Sequence, residues 1–230
     1  MGFGKIWRGW ISECLSTASI SILVNGTPTT PFRMRRGLRQ GDPLSPFLFV
    51  LATEGFNQLV QRGLRTGVIR GLKVGHDQLE VSHLQYADDT MVFCEATREN
   101  VLNWRRVLDC FSILSGLRIN SSKTEVIGLG TNLNQTKEMA EVFQCQVGHL
   151  PCTYLGLPLG ANPRRIETWK PVITKIQKRL QSWKIRTLSR ARRLVLIKSV
   201  LNSLPMYYMS MFTIPKGVIK EIIRIQRNFF

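Results

Sequence analysis

Two aspartates stand side by side in Tyr86-Ala87-Asp88-Asp89, with Leu84 before them and Met91, Val92 and Phe93 after. Adjacent carboxylates repel each other and resist burial, so they persist most readily where a divalent cation neutralises them. Donors that are all oxygen select Mg²⁺ or Mn²⁺ over Zn²⁺. A pair of such ions clamps the attacking and leaving oxygens of a phosphoryl transfer. Taken alone, the tetrapeptide is better read as an acidic turn in a surface hairpin, because Asp favours turns whatever its chemistry.

Three other segments change that balance. Upstream lies Arg36-Gly37-Leu38-Arg39-Gln40-Gly41-Asp42-Pro43-Leu44-Ser45-Pro46, where glycines let backbone approach a ligand while Arg39 and Gln40 offer donors. Downstream are Gly116-Leu117-Arg118-Ile119-Asn120-Ser121-Ser122-Lys123-Thr124 and Tyr154-Leu155-Gly156-Leu157-Pro158-Leu159-Gly160. A fifth candidate, Cys145, His149 and Cys152, has only three ligands and no obvious fourth, so ordinary packing is favoured over a zinc site.

The elements that must position these residues follow from periodicity. Ile20, Ile22 and Val24 alternate with their neighbours before Asn25-Gly26, a tight-hairpin signal, and Phe32 and Met34 continue the return strand. Phe47, Leu48, Val50, Leu51, Phe56 and Leu59 predict a buried helix with Ser45 as N-cap and Pro46 at its first position. Residues 81–94 predict two short strands around the acidic turn. A helix is expected from about Glu99 to Leu114, closed by Gly116, then a strand region over Leu117 to Leu129. Three helical patterns follow. The clearest places Trp169, Val172, Ile173, Ile176, Leu180 and Trp183 on an apolar stripe opposite Lys170, Lys175, Lys178 and Arg179. Ser189 opens the second, which carries Arg190, Arg192 and Arg193, and Pro215 precedes the third.

Charge divides the chain. Residues 1–41 hold 6 basic and 1 acidic residues, residues 42–160 hold 10 and 12, and residues 161–230 hold 16 and 2, a net +14. That contrast predicts a boundary near Gly160 to Pro163 and two parts, 1–160 and 161–230. The whole chain, 230 residues with net charge +17, calls for a polyanionic partner. Its five cysteines are scattered without a CxxC pair, which argues against a disulfide framework and for a reducing, intracellular setting, nucleus or cytoplasm. No secretory signal and no membrane span is read in the sequence. Oligomeric state is not legible.

In that order and at those separations, the four segments resemble the reverse transcriptases of non-LTR, LINE-type retrotransposons, particularly the plant group. The resemblance covers essentially the whole chain. It implies an α+β fold: a partial polymerase palm, an antiparallel sheet with helices that carries the Tyr-Ala-Asp-Asp hairpin, followed by a basic helical thumb. It implies RNA-directed DNA polymerase chemistry on an RNA template and a DNA primer, with deoxynucleoside triphosphates as substrates and two Mg²⁺ (or Mn²⁺) ions. On this map Asp88 ligates both ions and Asp89 supports them. Arg39, Gln40 and Gly41 border the nucleotide and templating base. Lys123 matches the family lysine that protonates the leaving pyrophosphate. Tyr154, Leu155 and Gly156 approach the primer terminus, though Lys123 also reads as a solvated strand-end charge and Tyr154 as a core aromatic.

Lys170, Lys175, Lys178, Arg179, Arg190, Arg192 and Arg193 form the expected track along a nucleic-acid backbone. The family's first catalytic aspartate has no counterpart: the one acidic residue before Asp42 is Glu13, in a helical pattern of its own. The expectation is therefore a fragment, cut short at both ends and inactive by itself, with a non-catalytic, basic nucleic-acid-binding protein as the rival reading.

Overall fold

The structure, a computed structural model, describes residues 1–34, 37–182 and 188–230. Arg36 and Trp183, which the sequence places in the first loop and on the apolar stripe, lie outside the described residues. The described chain forms two compact units, Met1–Val147 and Gly148–Phe230. The division falls ahead of the charge boundary, so the Tyr154-to-Gly160 segment belongs with the basic helices.

In the first unit, α1 (Lys5–Thr17) carries Glu13 on an exposed surface and buries no residue. Strands β1 (Ser19–Ile20), β2 (Leu23–Val24), β3 (Thr27–Pro28) and β4 (Phe32–Arg33) follow. Asn25 and Gly26, with φ of 50° and 81°, close β2 onto β3 as the Asn-Gly signal requires. Next comes α2 (Ser45–Arg65), which buries Phe56, Val60 and Gly63. Gly63 is required there: a Cβ would stand 2.9 Å from Ile69 Cγ1 as the chain folds back over the helix end. The expected Ser45 cap is corrected. Leu44 is the N-cap, no side chain caps the helix, and Asp42 organises its entry by accepting the Leu44 N–H at 2.8 Å.

Strands β5 (Leu72–Val74) and β6 (Leu79–Val81) lead to β7 (His83–Tyr86) and β8 (Asp89–Val92), then α3 (Arg98–Ser115). Thr97 caps α3 by accepting from Asn100 N, and Gly116 ends it at φ 75°, as expected. The strand region expected over Leu117 to Leu129 shrinks to β9 (Glu125–Val126). The Asn120 side chain explains this: its Oδ1 accepts from Ser122 N and Ser122 Oγ, winding the segment into a turn that competes with extension. Helix α4 (Leu133–Phe143) and β10 (Gln146–Val147), parallel to β9, complete the unit. Its core gathers Phe56, Val60, Ile69 and Trp104, with Val92 and Phe111 packed against them.

In the second unit, β11 (Cys152–Tyr154) and β12 (Leu157–Leu159) form a hairpin, followed by α5 (Ile166–Ser182) and α6 (Arg190–Leu196). A π-helical turn at Ile197–Leu201 continues α6 into α7 (Met206–Met209) and α8 (Lys216–Phe229). Ser189 caps α6 and Pro215 precedes α8, as the sequence predicts. The apolar stripe of α5 is inside: Trp169, Val172 and Ile176 join Leu157, Leu201, Tyr208 and the α8 residues Val218, Ile222 and Ile225 in one core. Each large side chain taken fully out of water contributes roughly 1.5–3 kcal/mol, which makes this stripe the foundation of the unit. The α+β class is borne out; among the described residues every strand ladder contains two strands.

Candidate functional site

The acidic tetrapeptide occupies the tip of the β7–β8 hairpin. Tyr86 pairs with Asp89, leaving Ala87 and Asp88 as a two-residue turn. Ala87 sits at φ 50°, a left-handed conformation that suits glycine and strains alanine. Alternation fixes the two faces. His83, Gln85, Thr90 and Val92 share one; Leu84, Tyr86, Asp89 and Met91 share the other. The first face is anchored, with Val92 against the core and the His83 ring edge-on to Phe56 at 5.3 Å between centroids. Burial there lowers the His83 pKa, and its Nδ1 lies 3.0 Å from the Ser82 hydroxyl. The second face is open, with Tyr86 65% exposed. Asp88 and Asp89 are both exposed, at the free end of a hairpin with a fixed foot.

Among the described residues no group of three His, Cys, Asp or Glu side chains gathers to hold a metal. The pair alone still fits a hard cation. Mg²⁺ takes one or two carboxylates from a protein and completes its shell with water and substrate phosphate, which an exposed tip allows.

The other predicted residues lie on separate turns. Arg39, Gln40 and Gly41 are exposed in the loop ahead of α2, with Gly41 at φ 87° and Asp42 N bonded to Arg39 O. Sequence reasoning missed Asp42 as the organiser of this loop; its place three residues before the start of a helix was the available signal. Lys123 is exposed on the Asn120 turn, its N–H bonded to Asn120 O at 3.0 Å.

In the second unit, Tyr154 pairs with Leu157, so Leu155 and Gly156 form the turn, at φ 49° and 78°. Gly160, at φ 76°, packs so closely on Leu150 that a Cβ would fall 2.9 Å from Leu150 Cδ1. Lys170, Lys175 and Lys178 share the exposed face of α5 with Arg179, lining a shallow groove with Glu167, Pro171 and Thr174. Arg190 and Arg192 are exposed on α6. Arg193 turns inward instead, donating to Leu188 O and to the Phe229 and Phe230 carbonyls at the end of α8.

Residues 1–159 match the family described as reverse transcriptase (RNA-dependent DNA polymerase), and the chain belongs to that family. Its relatives narrow the kind. It is 28% identical over 170 residues to a Drosophila melanogaster Pol polyprotein from a type-2 retrotransposable element, covering 74% of this chain and 14% of the relative. It is 30% identical over 125 residues to the transposon TX1 uncharacterized 149 kDa protein of Xenopus laevis, covering 53% and 9%. Over 68 residues it is 44% identical to an uncharacterized mitochondrial protein of Arabidopsis thaliana, 30% of this chain and 56% of that one. The chain thus spans about half of one curated relative and a small part of the others. These matches bear out the resemblance to non-LTR, LINE-type reverse transcriptases. No described helix is long and apolar enough to cross a membrane.

Proposed function

We propose that this chain is the palm (1–160) and part of the thumb (161–230) of an RNA-directed DNA polymerase, working on an RNA template, a DNA primer and deoxynucleoside triphosphates. One observation carries the reading: Asp88 and Asp89 stand exposed at the tip of a two-residue hairpin whose foot is packed into a core. Asp88 and Asp89 would hold Mg²⁺ or Mn²⁺, which when bound lowers the cost of charge on the attacking and leaving oxygens. Arg39, Gln40 and Gly41, on an exposed loop with backbone open to approach, border the nucleotide and the templating base. In the reaction the primer 3′-hydroxyl gives up its proton to solvent and its oxygen forms a bond to the α-phosphorus as the bond to pyrophosphate breaks. Lys123 Nζ donates a proton to that leaving group. Tyr154, Leu155 and Gly156 support the primer terminus, and the α5 face with Arg190 and Arg192 follows the nucleic-acid backbone. Arg193 serves the fold through its carbonyl contacts.

Two carboxylates are fewer than a pair of ions shares, so the 230-residue chain by itself does not extend a primer. Primer extension on an RNA template, with Mg²⁺ and then Mn²⁺, tests this. No synthesis is expected from the chain alone; supplying a further palm segment with an aspartate restores it, and Asp88→Asn abolishes the restored activity. Robust synthesis by the chain alone contradicts the reading of an incomplete site. The rival, a non-catalytic nucleic-acid-binding protein, is favoured by the basic α5 face; it predicts binding with no activity in any of these arms.

A further inference from the structure

The β11–β12 hairpin is poorly equipped to hold its own tip. Each strand has only three residues, and a two-stranded hairpin of that length is marginal by itself. Its turn is worse placed still. Leu155 sits at φ 49°, a conformation that a bulky non-glycine side chain adopts only when its surroundings enforce it.

A contact on this turn comes from 52 residues away. Tyr207 donates its phenolic hydroxyl to the Leu155 carbonyl at 2.7 Å, on the apex of the turn. Tyr207 is itself held in place, because its neighbour Tyr208 is buried in the core, 5.6 Å from the Trp169 ring and 6.4 Å from Phe212. The Tyr207 side chain nevertheless remains 51% exposed, so it adds little to the core and much to the apex.

We infer that Tyr207 is a positioning residue for primer-end binding: its hydroxyl fixes the strained Leu155-Gly156 turn in the form that receives the terminal nucleotide. The inference rests on the reading of this hairpin as the primer-end contact. Tyr207 acts through Leu155 and does not itself touch the primer. A tether of this kind has a signature that a packing role lacks. Replacing Leu155 by glycine removes the conformational penalty, so the turn keeps its shape with no hydroxyl to hold it.

The test uses the full 230-residue chain and a DNA primer annealed to RNA, with 2-aminopurine at either the recessed 3′ end or an internal position. Anisotropy gives total affinity, and 2-aminopurine fluorescence reports the terminal base. The wild type is expected to perturb the terminal probe more than the internal one. Tyr207→Phe should reduce that terminus-specific signal about fivefold, the factor for one hydrogen bond of ordinary strength, with total affinity within about twofold. Leu155→Gly in the Tyr207→Phe background should restore it. A wild type that perturbs both probes equally sinks the primer-end reading and the inference with it. A terminal signal that survives Tyr207→Phe leaves that reading standing and overturns the positioning role. A signal lost in Tyr207→Phe and not restored by Leu155→Gly means that Tyr207 contacts the primer directly, which also overturns it.

Discussion

The β7–β8 and β11–β12 hairpins are built alike and finished differently. Each closes on a two-residue turn with a non-glycine residue forced to positive φ, Ala87 at 50° and Leu155 at 49°, and each roots one strand in the core of its own unit. The first leaves its tip bare, with two carboxylates exposed. The second has its apex pinned by Tyr207. Backbone strain held by surrounding structure recurs at functional turns. On the function proposed above, the tip to be completed by cations and phosphate is the open one, and the tip that presents backbone is the one locked in advance.

The largest way to break the comparison is at the carboxylates. In a longer polypeptide that extends primers, Asp88→Asn should lower the rate by roughly 10⁴-fold, the scale on which groups acting as one catalytic unit fail. Leu155→Gly should lower it by less than about tenfold. Equal losses at the two turns would erase the distinction between chemistry and presentation. Next in size are the foundations. Trp104 and Trp169 are each fully buried, one in each core, and replacing either with alanine should cost about 3–5 kcal/mol. Hydrogen exchange should show amides of β7 and β8 released by Trp104→Ala and those of β11 and β12 by Trp169→Ala. Loss of protection at both hairpins in each variant would mean that the units do not unfold separately.

Smaller effects sharpen the picture. Ala87→Gly should stabilise the chain by about 0.5–1 kcal/mol in denaturant unfolding, the left-handed strain relieved less the entropy glycine adds to the unfolded chain. No gain would show that the turn is not strained. The smallest effect is from His83. Its folded pKa lies below the ordinary 6.5 because burial disfavours the charged form. The unfolded chain therefore binds the proton more tightly, so the His83 contribution is complete above pH 6.5 and is lost as pH falls below it. Thermal melts between pH 7.5 and 5 should show a decline that His83→Gln reduces; an unchanged decline removes His83 from the account.

Much of this architecture was legible in local chemistry. Asn25-Gly26, Gly116, Ser189 and the α5 stripe each announce their element through a signal that acts within a few residues, and each is where the sequence puts it. What was not legible depends on partners distant in sequence or on side chains that bond their own backbone. Asn120 turned an expected strand into a turn, and Leu44, its N–H bonded to Asp42, holds the N-cap of α2 expected of Ser45. Arg193 reads as one more surface cation until the carbonyls at the end of α8 are brought to it. Tyr207 shows no pattern at all, since the turn it serves lies 52 residues earlier. At the candidate site, the hairpin and its acidic tip were readable from four residues, and the strain at Ala87 was not.

The most direct test of the central claim is to titrate Mn²⁺ into the chain selectively labelled with ¹⁵N-aspartate. The account predicts that the Asp88 and Asp89 amide signals broaden away before those of Asp42, Asp77 and Asp109, that excess Mg²⁺ restores the lost signals, and that Asp88→Asn prevents the loss. Broadening spread evenly over the aspartates and untouched by Asp88→Asn would contradict it.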